Sequence, residues 1–288
     1  MLVFKKIQLK IKLIIIFIIL FLILSSFFIY YTVKAKQTSD IYVPIIMYHS
    51  ILRSKNGKYI VHPDTLEADL NYIKENGYTT ITITDLINYV YSDSPLPEKP
   101  IIITFDDGHY NNLTYLLPLL EKYDMVAVIS IVGNYTDSYS ETNETNPNYS
   151  YLRWCDINDM MKTNRIEFQN HTYNMHSMSN LRNGCMKKKN ESIETYSSIL
   201  KNDLSKLQNE FQTNTGYVPN TFTYPFGAIS NASLNIVKEL GFKASLSCGE
   251  GINIITKDPE CLYQLKRYNR SGNISTNYFF KRFEKNIH

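Results

Sequence analysis

The chain has 288 residues, 44% hydrophobic and 20% charged, with 11 Gly, 10 Pro and 4 Cys, which excludes collagen-like, disordered and disulfide-scaffold proteins. Its formal net charge of +3 hides an asymmetry, because residues 1–36 carry six lysines and no acid, leaving 24 basic against 27 acidic residues in the remainder. With no basic surplus outside the N-terminus, there is no electrostatic case for a nucleic-acid partner.

The most apolar stretch, residues 13–31, is interrupted only by Ser25 and Ser26. As a helix rising about 1.5 Å per residue it reaches roughly 28 Å, close to the hydrocarbon thickness of a bilayer. Lysines concentrated before it favour a cytoplasmic N-terminus. The expectation is therefore residues 1–36 as a membrane anchor or signal segment and residues 37–288 as one exported domain. Val33-Lys34-Ala35 also suits signal peptidase, which would make the domain secreted, but the apolar run exceeds the usual signal core. Export permits disulfides, and among Cys155, Cys185, Cys248 and Cys261 the pairing of Cys248 with Cys261 comes first, with four unpaired thiols as the alternative. No C-x-x-C spacing supports a cysteine metal site.

Residues 32–41 are polar and suit a tether. A buried strand is predicted over 43–47, and Asp64-x-x-Glu67 reads as a capping box for a helix with Leu66, Leu70 and Ile73 on one face, closed at Gly77. A strand over 80–83 and a short helix over 85–91 precede a strand over 101–104, whose unbroken isoleucines imply burial on both faces. A helix over 113–123 and a strand over 125–132 follow. Residues 133–149, rich in Asn, Thr, Ser and Tyr, read as a surface loop. After a helix over 157–162 and a strand over 166–168, Ile193, Tyr196, Leu200, Leu204, Leu207 and Phe211 mark one face of a long helix. The chain closes with a strand over 221–224, a helix over 234–240 stopped by Gly241, a strand over 242–246 and a last strand near 262–267. Strand-then-helix alternation predicts an α/β fold with a mostly parallel sheet, and the domain's length favours a barrel.

In such folds chemistry sits at the C-terminal ends of the strands. Three of these ends hold unusual polar residues. Thr104-Phe105-Asp106-Asp107-Gly108 places adjacent carboxylates after a buried strand, which is costly unless a cation or donor compensates them. An ordinary Asp-Gly turn is the alternative, weakened because no antiparallel partner strand follows. His171-Thr172-Tyr173-Asn174-Met175-His176 spaces two imidazoles so that they converge only if the segment curls around something. Two His and a carboxylate form a common catalytic coordination set for zinc or similar metals. Thr223-Tyr224-Pro225-Phe226-Gly227 is either a plain loop or a rigid turn whose N–H groups serve an oxyanion. His49, after the first strand, is a fourth polar strand-end residue.

These motifs, in this order, resemble the polysaccharide deacetylase family, carbohydrate esterases with a NodB-homology domain. The Tyr48-His49 start and the His spacing are similar to the branch that includes poly-N-acetylglucosamine deacetylases. The resemblance spans roughly residues 42–268. It implies a distorted (β/α) barrel, commonly seven-stranded, and metal-dependent removal of acetyl groups from N-acetylated sugars. It further implies Asp107, His171 and His176 as ligands of a divalent metal, usually zinc, with Asp106 as the general base acting on water. The backbone N–H of Phe226 would face the oxyanion, and His49 would be the general acid for the leaving amine, since no late Leu-x-His is present. There are departures from the pattern. Thr223 stands where many members have an Arg that orients the base, and Arg267 is a candidate replacement. The late Asp-to-Trp motif is missing, the lone Trp154 lying upstream of both histidines. His109 occupies a position more often aromatic and reads as either an extra site residue or an exposed loop residue, with the loop favoured. The expected protein is a hydrolase of an N-acetylglucosamine-containing cell-wall or biofilm polysaccharide, single-pass in the cell membrane with its domain outside. A glycoside hydrolase fits poorly, because its two carboxyls usually sit about 5–10 Å apart on different elements. A non-catalytic glycan-binding surface protein is the other competitor, suggested by the 23 Tyr.

Overall fold

The computed structural model describes residues 2–37, 41–179 and 182–285. The chain divides into two compact units, Met1–Asp40 and Ile41–His288. The first is one helix, α1 (Leu2–Gln37), in which Lys10–Ile29 is long and apolar enough to cross a membrane. The expected tether is therefore helical through Gln37, since residues 32–37 contain no Gly or Pro to stop the helix. Residues 38–40 of that tether lie outside the described residues.

In the second unit the predicted first strand is divided by Pro44, which has no N–H for the ladder, into β1 (Ile41–Val43) and β2 (Ile45–Tyr48). Short strands β3 (Ser50–Ile51) and β4 (Ile60–Val61) lead into α2 (Pro63–Glu75). The expected Asp64–Glu67 capping box is not what caps α2: His62 accepts from the Asp64 N–H, Pro63 occupies the first turn, and Glu67 pairs with Lys122 instead. After β5 (Thr79–Thr80), a reciprocal Thr82–Asp85 capping box starts α3 (Ile83–Ser92), claiming Ile83 from the predicted strand. Strand β6 (Pro100–Asp107) is longer than predicted and includes both aspartates. A π-helical turn (Asn112–Leu116) precedes α4 (Leu117–Tyr123) and β7 (Ala127–Ile131).

The polar segment expected to be a loop instead forms α5 (Gly133–Thr142). Packing rather than propensity makes this helix: Gly133 is buried so tightly that an added Cβ would come within 2.7 Å of the Tyr173 ring. Then come α6 (Trp154–Lys162), β8 (Ile166–Asn170), a small hairpin of β9 (Met178–Ser179) and β10 (Arg182–Asn183), and α7 (Ile193–Thr215). Of the six residues expected on the apolar face of α7, Tyr196, Leu200, Leu204, Leu207 and Phe211 are buried, whereas Ile193, in the first turn, is exposed. The remainder comprises β11 (Thr221–Thr223), a 3₁₀ turn (Pro225–Gly227), α8 (Ser233–Glu239), β12 (Ala244–Leu246), β13 (Asn253–Ile255), a second 3₁₀ turn (Pro259–Leu262), β14 (Tyr268–Asn269) and α9 (Thr276–Glu284).

Seven strands form one parallel sheet in the order β12-β11-β8-β7-β6-β2-β14, with β5 added beside the start of β6. This is the curled sheet of a distorted (β/α) barrel, as expected. The predicted last strand over 262–267 is absent as a ladder. Within it only Leu265 pairs, bridging Leu246 of β12, and the strand that joins β2 starts just after it, at Tyr268. That short crossing leaves Arg267 between the two edges of the sheet.

The period of two along β6 sorts its side chains. Ile101, Ile103 and Phe105 pack with Leu66, Leu70, Leu116 and Leu120 of the helices. Ile102 points the other way, in one cluster with Val128 of the adjacent β7 and Leu246 of the distant β12. Thr104 and Asp106 continue that second face, so the interior changes from apolar to polar toward the strand ends. The expected Cys248–Cys261 disulfide is absent and all four cysteines are free. The two sulfurs face different surroundings, Cys248 Sγ lying 3.9 Å from Met47 Sδ and Cys261 Sγ 3.8 Å from the Thr256 carbonyl.

Candidate active site

A cavity of about 660 Å³ opens at the C-terminal ends of the strands, lined among others by His49, Asp106, Asp107, His109, His171, His176 and Phe226. All six predicted site residues thus meet in one place. Asp106 and Asp107 end β6, His49 follows β2, His171 follows β8, and Phe226 lies in the turn after β11.

The backbone bends sharply here. Asp107, Thr172 and Phe226 all have positive φ, at 74°, 74° and 57°. Asp tolerates this region, but a β-branched Thr and a bulky Phe do so only under constraint from their surroundings. The turn at Thr172 resolves the problem posed by the five-residue His spacing. It lets both imidazoles face Asp107, with ring centroids 4.9 Å apart. His176 Nε2 lies 3.1 Å and His171 Nε2 3.6 Å from Asp107 Oδ1.

The donor set suits a metal ion. One atom from each of Asp107, His171 and His176 lies within 4.8 Å of the others. Asp107 Oδ1 is buried without a hydrogen-bond partner. His171 Nδ1 donates to the Thr223 carbonyl at 2.8 Å, and because that oxygen only accepts, the neutral ring carries its lone pair on Nε2, the nitrogen on the Asp107 side. Burial works to raise the Asp107 carboxyl, but the surrounding His109, His171 and His176 outweigh it and hold the group well below the usual carboxylate range.

Asp106 has a different partner. Arg267 Nη1 and Nη2 donate to its two oxygens at 2.7 and 2.8 Å, a bidentate pair with both side chains buried. Arg267 also donates to the Ser247 carbonyl and to Thr104 Oγ1. Burial alone would raise the Asp106 carboxyl, and the Arg267 charge reverses this, keeping it ionised below its ordinary value. Arg267 is thus the arginine that pairs with Asp106, while the Thr223 hydroxyl bonds Ser130 at 2.7 Å. His49 Nε2 is 4.0 Å from Asp106 Oδ2, and its ring lies 4.8 Å from that of Tyr59. Burial pushes the His49 imidazole down, with partial compensation from Asp106. The Phe226 ring lies 4.5 Å from His176 on the other side.

His109 departs from expectation. It is not an exposed loop residue but lines the cavity, with Nε2 3.4 Å from Asp107 Oδ2. Sequence reasoning also missed Thr104, which braces Arg267, and Tyr59 beside His49. Thr104 sits two residues before Asp106 on the same strand face, a period-two signal that was available.

Residues 93–245, just over half of the chain, match the polysaccharide deacetylase family. A poly-beta-1,6-N-acetyl-D-glucosamine N-deacetylase of Escherichia coli is 22% identical across 67% of this chain and 31% of its own length. A Staphylococcus aureus protein of the same name is 25% identical across 67% of this chain and 62% of its own length. This chain thus spans less than two thirds of either relative. A solved de-N-acetylase structure from Aggregatibacter actinomycetemcomitans superposes with a TM-score of 0.71 at 22% identity, covering 84% of this chain and 100% of that one, which supports the barrel. The matched region carries β6, β8 and β11 with the motif residues at their ends, and the chain belongs to the polysaccharide deacetylase family.

Proposed function

We propose that this protein is a metal-dependent N-deacetylase of a poly-N-acetylglucosamine type polysaccharide, held at the cell membrane by α1 with its catalytic domain outside. The observation that carries this is the division of labour between two adjacent carboxylates. Asp107 converges with His171 and His176 on a common point, while Asp106 is kept ionised by Arg267. The names of the relatives favour a β-1,6-linked polymer over peptidoglycan or chitin.

Asp107, His171 and His176 would hold the ion, and two imidazoles with one carboxylate suit zinc. A bound divalent cation supplies Lewis acidity, polarising the amide carbonyl and acidifying water. Asp106 takes the proton from the water that attacks the acetyl carbon. The Phe226 N–H would stabilise the oxyanion that develops. An amide nitrogen leaves poorly unless protonated, and His49 supplies that proton. Asp106 lies 4.0 Å from His49 Nε2, within reach through one water, so the proton taken by Asp106 returns to His49 by that route and goes to the nitrogen as the C–N bond breaks. Acetate and a free amine result.

A glycoside hydrolase needs one carboxyl kept protonated as an acid, whereas both aspartates here are held below the ordinary carboxylate range. A pure glycan binder has no use for a buried, ionised Asp106. Product analysis separates the three. The full-length chain in detergent with zinc is expected to release acetate from β-1,6-linked N-acetylglucosamine oligomers faster than from chitin oligomers or peptidoglycan, with chain length unchanged. Shortened chains, or binding without acetate, would overturn the proposal.

A further inference from the structure

The two oxygens of Asp107 face different partners. Oδ1 faces His171 and His176, whereas Oδ2 faces His109 Nε2 at 3.4 Å. His109 is not one of the three residues whose ligand atoms cluster within 4.8 Å, so its place is behind the carboxylate. Its ring is held in place. It stacks on Tyr151 at 4.9 Å and 25°, and the two backbones form an antiparallel bridge flanked by Tyr110 N–H to Ser150 and Leu152 N–H to Gly108 hydrogen bonds. Tyr151 in turn packs on Tyr135 of α5 at 4.5 Å. Tyr135 reaches the other side of the site, its hydroxyl donating to the His176 carbonyl and its ring edge-on to the His176 imidazole. The helix α5 and the segment after it therefore brace the site from both sides of Asp107.

A carboxylate with both oxygens free can rotate or chelate an ion through either. One whose Oδ2 is tied presents Oδ1 alone, in a fixed direction. Partners of this kind, behind a ligand, commonly set metal affinity by about 10–100-fold. We propose that His109 is a positioning residue of the metal site: from a ring held on Tyr151 it ties Asp107 Oδ2 and presents Oδ1 to a divalent cation alongside His171 and His176. The inference rests on the assignment of those three residues as ligands.

The test uses Zn²⁺ alone as the probe, with the full-length chain in detergent and a chromophoric chelator as competitor. His109→Ala is expected to weaken zinc binding by about 10–100-fold. His109→Gln, which keeps a side-chain N–H donor, regains part of the loss, and Tyr151→Ala, which leaves His109 without its support, falls between. Metal-free thermal midpoints of the variants, compared with the unaltered chain, separate these effects from a folding defect. X-ray absorption is expected to count the same number of imidazoles on zinc with and without His109. Unchanged affinity in His109→Ala, or loss of one imidazole from the zinc in that variant, would overturn the positioning role. Failure of the unaltered chain to bind zinc would overturn the ligand assignment and this inference with it, and is seen before any variant is made.

Discussion

Replacing Asp107 by Asn is expected to abolish zinc binding and lower acetate release by on the order of 10³-fold or more, while the metal-free protein keeps its thermal midpoint. Asn is the informative choice because residue 107 has φ 74°, a conformation that Asn adopts as readily as Asp. The substitution removes the anionic ligand without removing the shape. His171→Ala should match it in both zinc titration and acetate assay, because His171 is the imidazole whose lone pair is aimed by the Thr223 carbonyl. His49→Ala separates binding from catalysis. It leaves zinc affinity intact and lowers kcat by about 10²–10⁴-fold, the usual worth of a positioned proton donor. Asp107→Asn with unaltered zinc affinity would remove this carboxylate from the metal site.

Arg267→Met is expected to cost about 3–5 kcal/mol of stability, read as a fall in the urea midpoint. Arg267 and Asp106 are 0% and 2% exposed, so losing one partner strands the other's charge in the interior. The double variant Asp106→Leu/Arg267→Met should recover most of the loss, since a buried pair replaced by apolar groups no longer leaves an unpaired ion. Both variants are inactive. The sign of the pH dependence follows from the depressed Asp106 carboxyl. The pair's contribution is lost as pH falls through the depressed Asp106 value; in Arg267→Met burial raises the unpaired carboxyl, so the stability gap between the two proteins narrows as pH falls from that raised value and closes as pH passes through the depressed one.

The elements that the sequence foretold well are those whose signal is local. The buried face of α7 follows from apolar residues at helical spacing, and the Asp pair, the two histidines and the Phe226 turn each lie within a few residues of a strand end. The features that escaped depend on groups distant in the chain. The Arg267–Asp106 pair joins residues 161 positions apart, so Arg267 could be named as a candidate but not placed. His109 reads as a loop residue until Tyr151 is known to stack on it. α5 lacks an apolar stripe, and becomes helical because Gly133 and its tyrosines find partners on other elements. The Cys248–Cys261 pairing failed for the same reason, as closeness in sequence says nothing of where each sulfur points.

The most direct test of the account is acetate release from a β-1,6-linked N-acetylglucosamine oligomer by the full-length chain in detergent, measured as purified, after chelation and after zinc is added back. The account predicts release that is lost on chelation, restored by zinc, and accompanied by no change in oligomer length. Full activity after chelation, in protein shown by elemental analysis to contain no metal, would contradict it.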